Sequence, residues 1–150
     1  MKLRQFKNLK GIEKYVKREG IVIEPSAKKF LEEIEFDRQS TVLKSPAVTD
    51  AGELGFPEEL ETVSIYEAMR SAKDLGLNYF TAIDALSMIF ENLGECQKTG
   101  KKIIVLMYPV GDAEEKSSFA GEYWGDFPHI TAYKNCSRLQ TGEVLFVVKR

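Results

Sequence analysis

The residue types best suited to chemistry crowd into one stretch, Gly111 to Thr131, which holds Asp112, Glu114, Glu115, Glu122, Tyr123, Trp124, Asp126 and His129. Glu122 and Asp126 form a carboxylate pair fit for acid–base work, as in glycoside hydrolysis, provided a loop holds them on opposite sides of a substrate. His129 is the chain's single histidine, so any imidazole chemistry runs through it. A small hydrolase using His129 with Glu122 or Asp126 is therefore one function these residues permit. The plainer reading is a solvated acidic loop in which Trp124 and Tyr123 fold over the domain or meet a partner.

The nucleophiles are few. Cys96 and Cys136 are the two cysteines, far apart and without C-x-x-C spacing, which suits free thiols in a reducing compartment and a buried structural role for each. A Cys–His dyad of either thiol with His129 stays open, since an imidazole lowers a thiol pKa. Two cysteines and one histidine lack the fourth ligand and paired spacing of a zinc site, so no metal or cofactor is expected. His129-Ile130-Thr131 is similar to one half of the His-x-Thr pattern of two-histidine phosphoesterases. Those enzymes use two such histidines, as base and as acid, and this chain has one. Gly94 to Lys102 looks superficially like a phosphate loop, but the glycine spacing is too long by one. Lys102 also stands where Ser or Thr is needed, and the segment runs from helix to strand. It reads as a basic turn.

Charge is balanced overall and segregated along the chain. Lys and Arg number 21 against 23 Asp and Glu, a formal net charge of −2, so no global field draws the molecule to nucleic acid or an anionic membrane. Residues 1–19 are locally basic, with Lys2, Arg4, Lys7, Lys10, Lys14, Lys17 and Arg18 against Glu13 and Glu19. They offer a weak nucleic-acid contact through residues 2–18, with Phe6 and Tyr15 as stacking groups. Residues 45–61 are the opposite: Asp50, Glu53, Glu58, Glu59 and Glu61 with no basic residue. The two segments are complementary, within one molecule or between copies.

The elements that must position these residues follow from periodicity. The chain reads as a single α+β domain over residues 1–150, with a mainly antiparallel sheet of about four or five short strands packed on about four helices. The expected units are a basic N-terminal segment (1–19), an acidic loop (45–61), a helical pair (65–93) and a C-terminal sheet (102–149). A helix at 8–19 ends at Gly20, and Ile21-Val22-Ile23 gives a short strand. Ser26 caps a second helix over 27–36, and Thr41-Val42-Leu43 gives a brief strand. Ser64 and Glu67 match a capping box that opens the third helix. Thr81 caps the fourth, whose stripe of Ile83, Leu86, Phe90 and Leu93 ends at Gly94, and the short link between the two implies a hairpin or sharp corner. Lys102 to Tyr108 reads as a central strand covered on both faces, and 129–133 and 144–148 as two more in antiparallel order. Gly111 to Pro128 is a long loop.

Composition fits a folded protein, with 43% apolar and 11% aromatic residues. No apolar run has membrane-spanning length, and the first residues lack a secretory core, so a cytoplasmic setting is expected. The leading functional expectation is a non-enzymatic interaction, assembly or accessory protein that binds another protein or its own copies. Its binding candidates are Trp124, Tyr123, Glu58, Glu59, Glu61, Lys7, Lys10 and Lys14.

Overall fold

The computed structural model describes residues 2–43, 46–111 and 114–150. In chain order its elements are helix α1 (Leu9–Glu19), strand β1 (Val22–Ile23), helix α2 (Pro25–Leu31), strands β2 (Pro46–Thr49) and β3 (Thr62–Ser64), helices α3 (Ile65–Asp74) and α4 (Ala82–Thr99), and strands β4 (Lys102–Val105), β5 (Ser117–Trp124), β6 (Phe127–Lys134), β7 (Arg138–Gln140) and β8 (Val144–Lys149). The class is α+β, as the pattern implies. Ser45 and Asp112 lie outside the described residues.

Six strands form one sheet in the order β1-β6-β5-β4-β8-β2, and β3 pairs with β7 in a second. The expectation of a mainly antiparallel sheet is right only in part. The β4–β5, β5–β6 and β2–β8 pairs are antiparallel, but β1–β6 and β4–β8 are parallel. β6 and β8 are not neighbours. The link between them was too short for a crossover within one sheet, but β7 leaves that sheet to pair with β3, and β8 returns beside β4.

The period of two along each strand splits the interior into two layers. On one face Ile103, Val105, Phe119, Ile130 and Val147 pack under α1, α2 and α4. On the other, Ile104, Leu106, Ala120, Phe146 and Val148 pack under α3 and the small sheet. β4 is the central strand covered on both sides, with Ile103, Ile104 and Val105 fully buried. Of the expected hairpin or sharp corner between α3 and α4, the hairpin is therefore not formed. Their link passes from one face to the other, tied on the way by Phe80 N–H to Leu106 O at 2.9 Å and Tyr108 N–H to Phe80 O at 2.8 Å.

Several boundaries shift for local reasons. α2 starts at Pro25, where the missing N–H costs nothing, and stops at Leu31; Ser26 does not cap it but accepts the Ala132 N–H through Oγ at 3.1 Å. α4 runs through Gly94 to Thr99, because burial of its apolar face outweighs one glycine's penalty, and it ends at Gly100, whose φ of 71° is the left-handed cap. The basic turn expected at 94–102 is thus mostly helix. Val42 makes a single bridge, to Lys2. The acidic segment contains the edge strand β2. The long loop 111–128 is replaced largely by β5, whose Ala120, Gly121 and Glu122 have weak strand preference and hid it.

Candidate functional site

β5 and β6 form a hairpin closed by Gly125-Asp126, in which Trp124 faces Phe127, Glu122 faces His129, Ala120 faces Thr131 and Ser118 faces Tyr133. Directly opposed residues share a face. Its inner part lies under the α3 layer, while Trp124 and Phe127 at the tip are 49% and 63% exposed.

Glu122 is buried, and its Oε1 accepts the Thr131 hydroxyl at 3.2 Å and the Tyr133 hydroxyl at 2.6 Å. Burial first, and then the bond to Glu122 and its charge, push the Tyr133 phenol far above its ordinary value of 10.0. Tyr133 therefore keeps its proton and serves as a donor. The Lys102 ammonium lies 5.1 Å from the Tyr133 ring centre.

His129 is held from another element. β1 runs parallel to β6 with Val22 beside His129, and the next residue on that face is Glu24, whose N–H donates to Ile130 O at 2.9 Å. Glu24 Oε1 then lies 2.7 Å from His129 Nδ1. The Trp124 indole stacks on the imidazole, centroids 4.1 Å apart at 24°. A carboxylate on Nδ1 orients the ring and leaves Nε2 for other work.

Among the proposed catalytic residues, Glu122 and His129 thus stand side by side on neighbouring strands, but each is committed to a different partner. Asp126 is exposed in the hairpin turn beyond them. Glu24 had no local signal, because it lies 105 positions from His129 and only the pairing of β1 with β6 joins them. Phe127 also carries no local signal, because only the pairing of β5 with β6 sets it opposite Trp124.

Of the binding candidates, Trp124 lies on this face, but Tyr123 points to the other, where its cross-strand partner is Pro128 and it packs against the α4 layer. Glu58, Glu59 and Glu61 are exposed between β2 and β3. Lys7 and Lys14 line a groove beside α1 with Arg4 and Arg18, and Lys10 is exposed on the same helix. No ion pair among the described residues joins the basic segment to the acidic one.

The two thiols are free. Cys96 fits the expected structural role: burial pushes it up to about 12, and its thiol donates to Gly121 O at 3.4 Å. It lies on the α4 face, away from His129. Cys136 is exposed rather than buried, in the turn that follows β6. Among the described residues no hydrogen bond joins either thiol to His129, whose Nδ1 is taken by Glu24, so the dyad is not formed.

Among the described residues, no group of three or more His, Cys, Asp or Glu side chains is placed to hold a metal ion, and no helix is long and apolar enough to cross a membrane. No protein-family model matches the chain, and neither a curated protein nor a solved structure shows significant similarity to it.

Proposed function

We propose that this chain is a non-enzymatic protein-interaction module, acting in the cytoplasm, that takes its partner on the tip of the β5–β6 hairpin. The observation that carries this reading is the grouping of solvent-facing apolar side chains there. Trp124 and Phe127 oppose each other across the turn, and Val22 at 42% exposure flanks His129, on which Trp124 stacks. Exposed aromatic clusters rimmed by polar groups are characteristic of binding surfaces, and tryptophan is prominent among residues that dominate such contacts. Asp126 and Glu24 make the rim acidic. The fitting partner is a protein segment that presents an apolar side chain to the indole and a basic group beside it.

A photo-crosslinker placed at Phe127 tests this. It should capture one defined species in cells, while the same probe at Leu75, an apolar residue 56% exposed on another surface, should not. Trp124→Ala should weaken binding of that species by about thirtyfold, the effect of losing roughly 2 kcal/mol at an interface centre. A captured mass of two copies of this chain would make the partner a second copy. Identical products from both positions would overturn the proposal.

One observation favours a second reading, a hydrolase with His129 as general base: Glu24 holds Nδ1 as an orienting carboxylate does in catalytic dyads. On that reading Glu24→Gln would remove turnover, whereas on the interaction reading it removes one rim charge and weakens partner binding less than Trp124→Ala does.

A further inference from the structure

Arg4, Lys7, Lys14 and Arg18 line one open groove of about 380 Å³ between the N-terminal segment and α1, and no carboxylate lines it. The spacing explains the convergence: Lys14 and Arg18 are one helical turn apart on α1, and Lys7 and Arg4 lead into that helix. Tyr15 organises the two guanidinium groups, which lie 4.6 Å (Arg4) and 5.5 Å (Arg18) from its ring centre. A guanidinium placed over a ring keeps its N–H edge free for bidentate contact with phosphate. Arg18 has an exposed partner in its neighbour Glu19 at 3.3 Å, and among the described residues Arg4, Lys7 and Lys14 form no ion pair. α1 is capped by Asn8, which lines the groove, and has no acidic residue in its first turn. The positive end of its dipole adds to the same field.

We propose that this groove binds a compact polyphosphate group, such as that of a nucleoside triphosphate or an inorganic polyphosphate. Concentrated positive charge, of which among the described residues only Arg18 has a carboxylate partner, in a volume typical of small-ligand sites fits such a group. An extended nucleic-acid strand fits less well. The stacking groups expected from the sequence are not available, since Phe6 is buried edge-on between Tyr15 and Phe90 and Tyr15 carries the two arginines. On the opposite face of α1 a second groove is lined by Glu13 and Glu32 together with Lys28, so the concentrated positive charge is confined to one face of the helix.

Titration calorimetry of the full chain with inorganic tripolyphosphate tests the proposal. One saturable site is expected, weakening as salt rises. Lys7→Gln with Lys14→Gln should weaken binding at least tenfold, and Arg4→Gln with Arg18→Gln at least as much. The lysine pair does not pack on Tyr15, so it reads the site even if the arginine pair perturbs folding. Lys73→Gln, an exposed charge on α3, should bind as the parent does. Equal affinity for a nucleoside triphosphate would show that phosphate alone is read, and tighter binding that the nucleoside adds contacts; both support the site. No heat up to ~1 mM ligand, or affinity unchanged in the lysine pair, would overturn it. A single-stranded oligonucleotide binding more tightly per phosphate than tripolyphosphate would replace it with a nucleic-acid track.

Discussion

Glu67 shows how much a single residue can settle locally. It closes the capping box of α3: Ser64 N–H donates to its carboxylate at 3.0 Å, and its own N–H donates to Ser64 Oγ at 3.1 Å. The Ser64 backbone N–H first, and then the Ser64 side chain and the Arg138 guanidinium, hold the carboxyl below its ordinary 4.5 against the opposing effect of burial. A depressed carboxylate contributes stability that is fully present above the unfolded pKa and is lost as pH falls through the folded, lower value. Because the side chain is 42% exposed, solvent screens its charge pair with Arg138, and the capping bonds set the scale. Glu67→Ala, which removes the acceptor for the Ser64 N–H, should therefore destabilise the protein by up to about 1 kcal/mol at pH 7. In urea titrations the gap from the parent should narrow as pH falls through the lowered folded-state pKa of Glu67. A gap independent of pH would assign the effect to packing.

At the scale of elements, the decisive contact is that of α4 with β5. Gly121 lies directly beneath the helix, where a Cβ would sit 2.7 Å from Ile89 Cγ2 and 3.3 Å from Leu93 Cδ2. Ile89 is fully buried and its branched methyl cannot swing away, so the helix would have to lift off the sheet. Gly121→Val should cost about 1–3 kcal/mol by overpacking, seen as a lowered thermal midpoint, while Gly142→Ala, in open space, should shift it little. An unchanged midpoint for Gly121→Val would mean that α4 packs more loosely than this contact implies. The same contact accounts for a strand that was unreadable locally: glycine weakens strand propensity, but its absent side chain is what lets α4 approach.

On the scale of the whole molecule, one sheet divides two apolar layers, so its middle should open last. β4 is paired on both edges, to β5 and β8, and buried on both faces. Native-state hydrogen exchange should find the strongest protection in Ile103–Val105 and the interior of α4, with the edge strand β1 and the turns at residues 51–59 exchanging fastest. Equal protection at the edges and in the centre would contradict this hierarchy. The basic groove and the exposed acidic segment between β2 and β3 belong to different parts of this architecture, joined by no ion pair among the described residues. Of the complementarity visible in the sequence, an intramolecular clasp is thus not formed.

Local signals in the sequence determined the α+β class, the starts of α3 and α4, the stop of α1 at Gly20 and the buried course of β4, because caps, periodicity and apolar runs act over a few residues. Tertiary structure decided the rest. It paired β1 with β6 and so brought Glu24 to His129. It also sent β7 to a second sheet, extended α4 past Gly94 and turned a supposed loop into the hairpin that exposes Trp124 and Phe127. Each of these depends on partners distant in the chain, and their burial and hydrogen bonding outweigh the local propensities that a sequence displays.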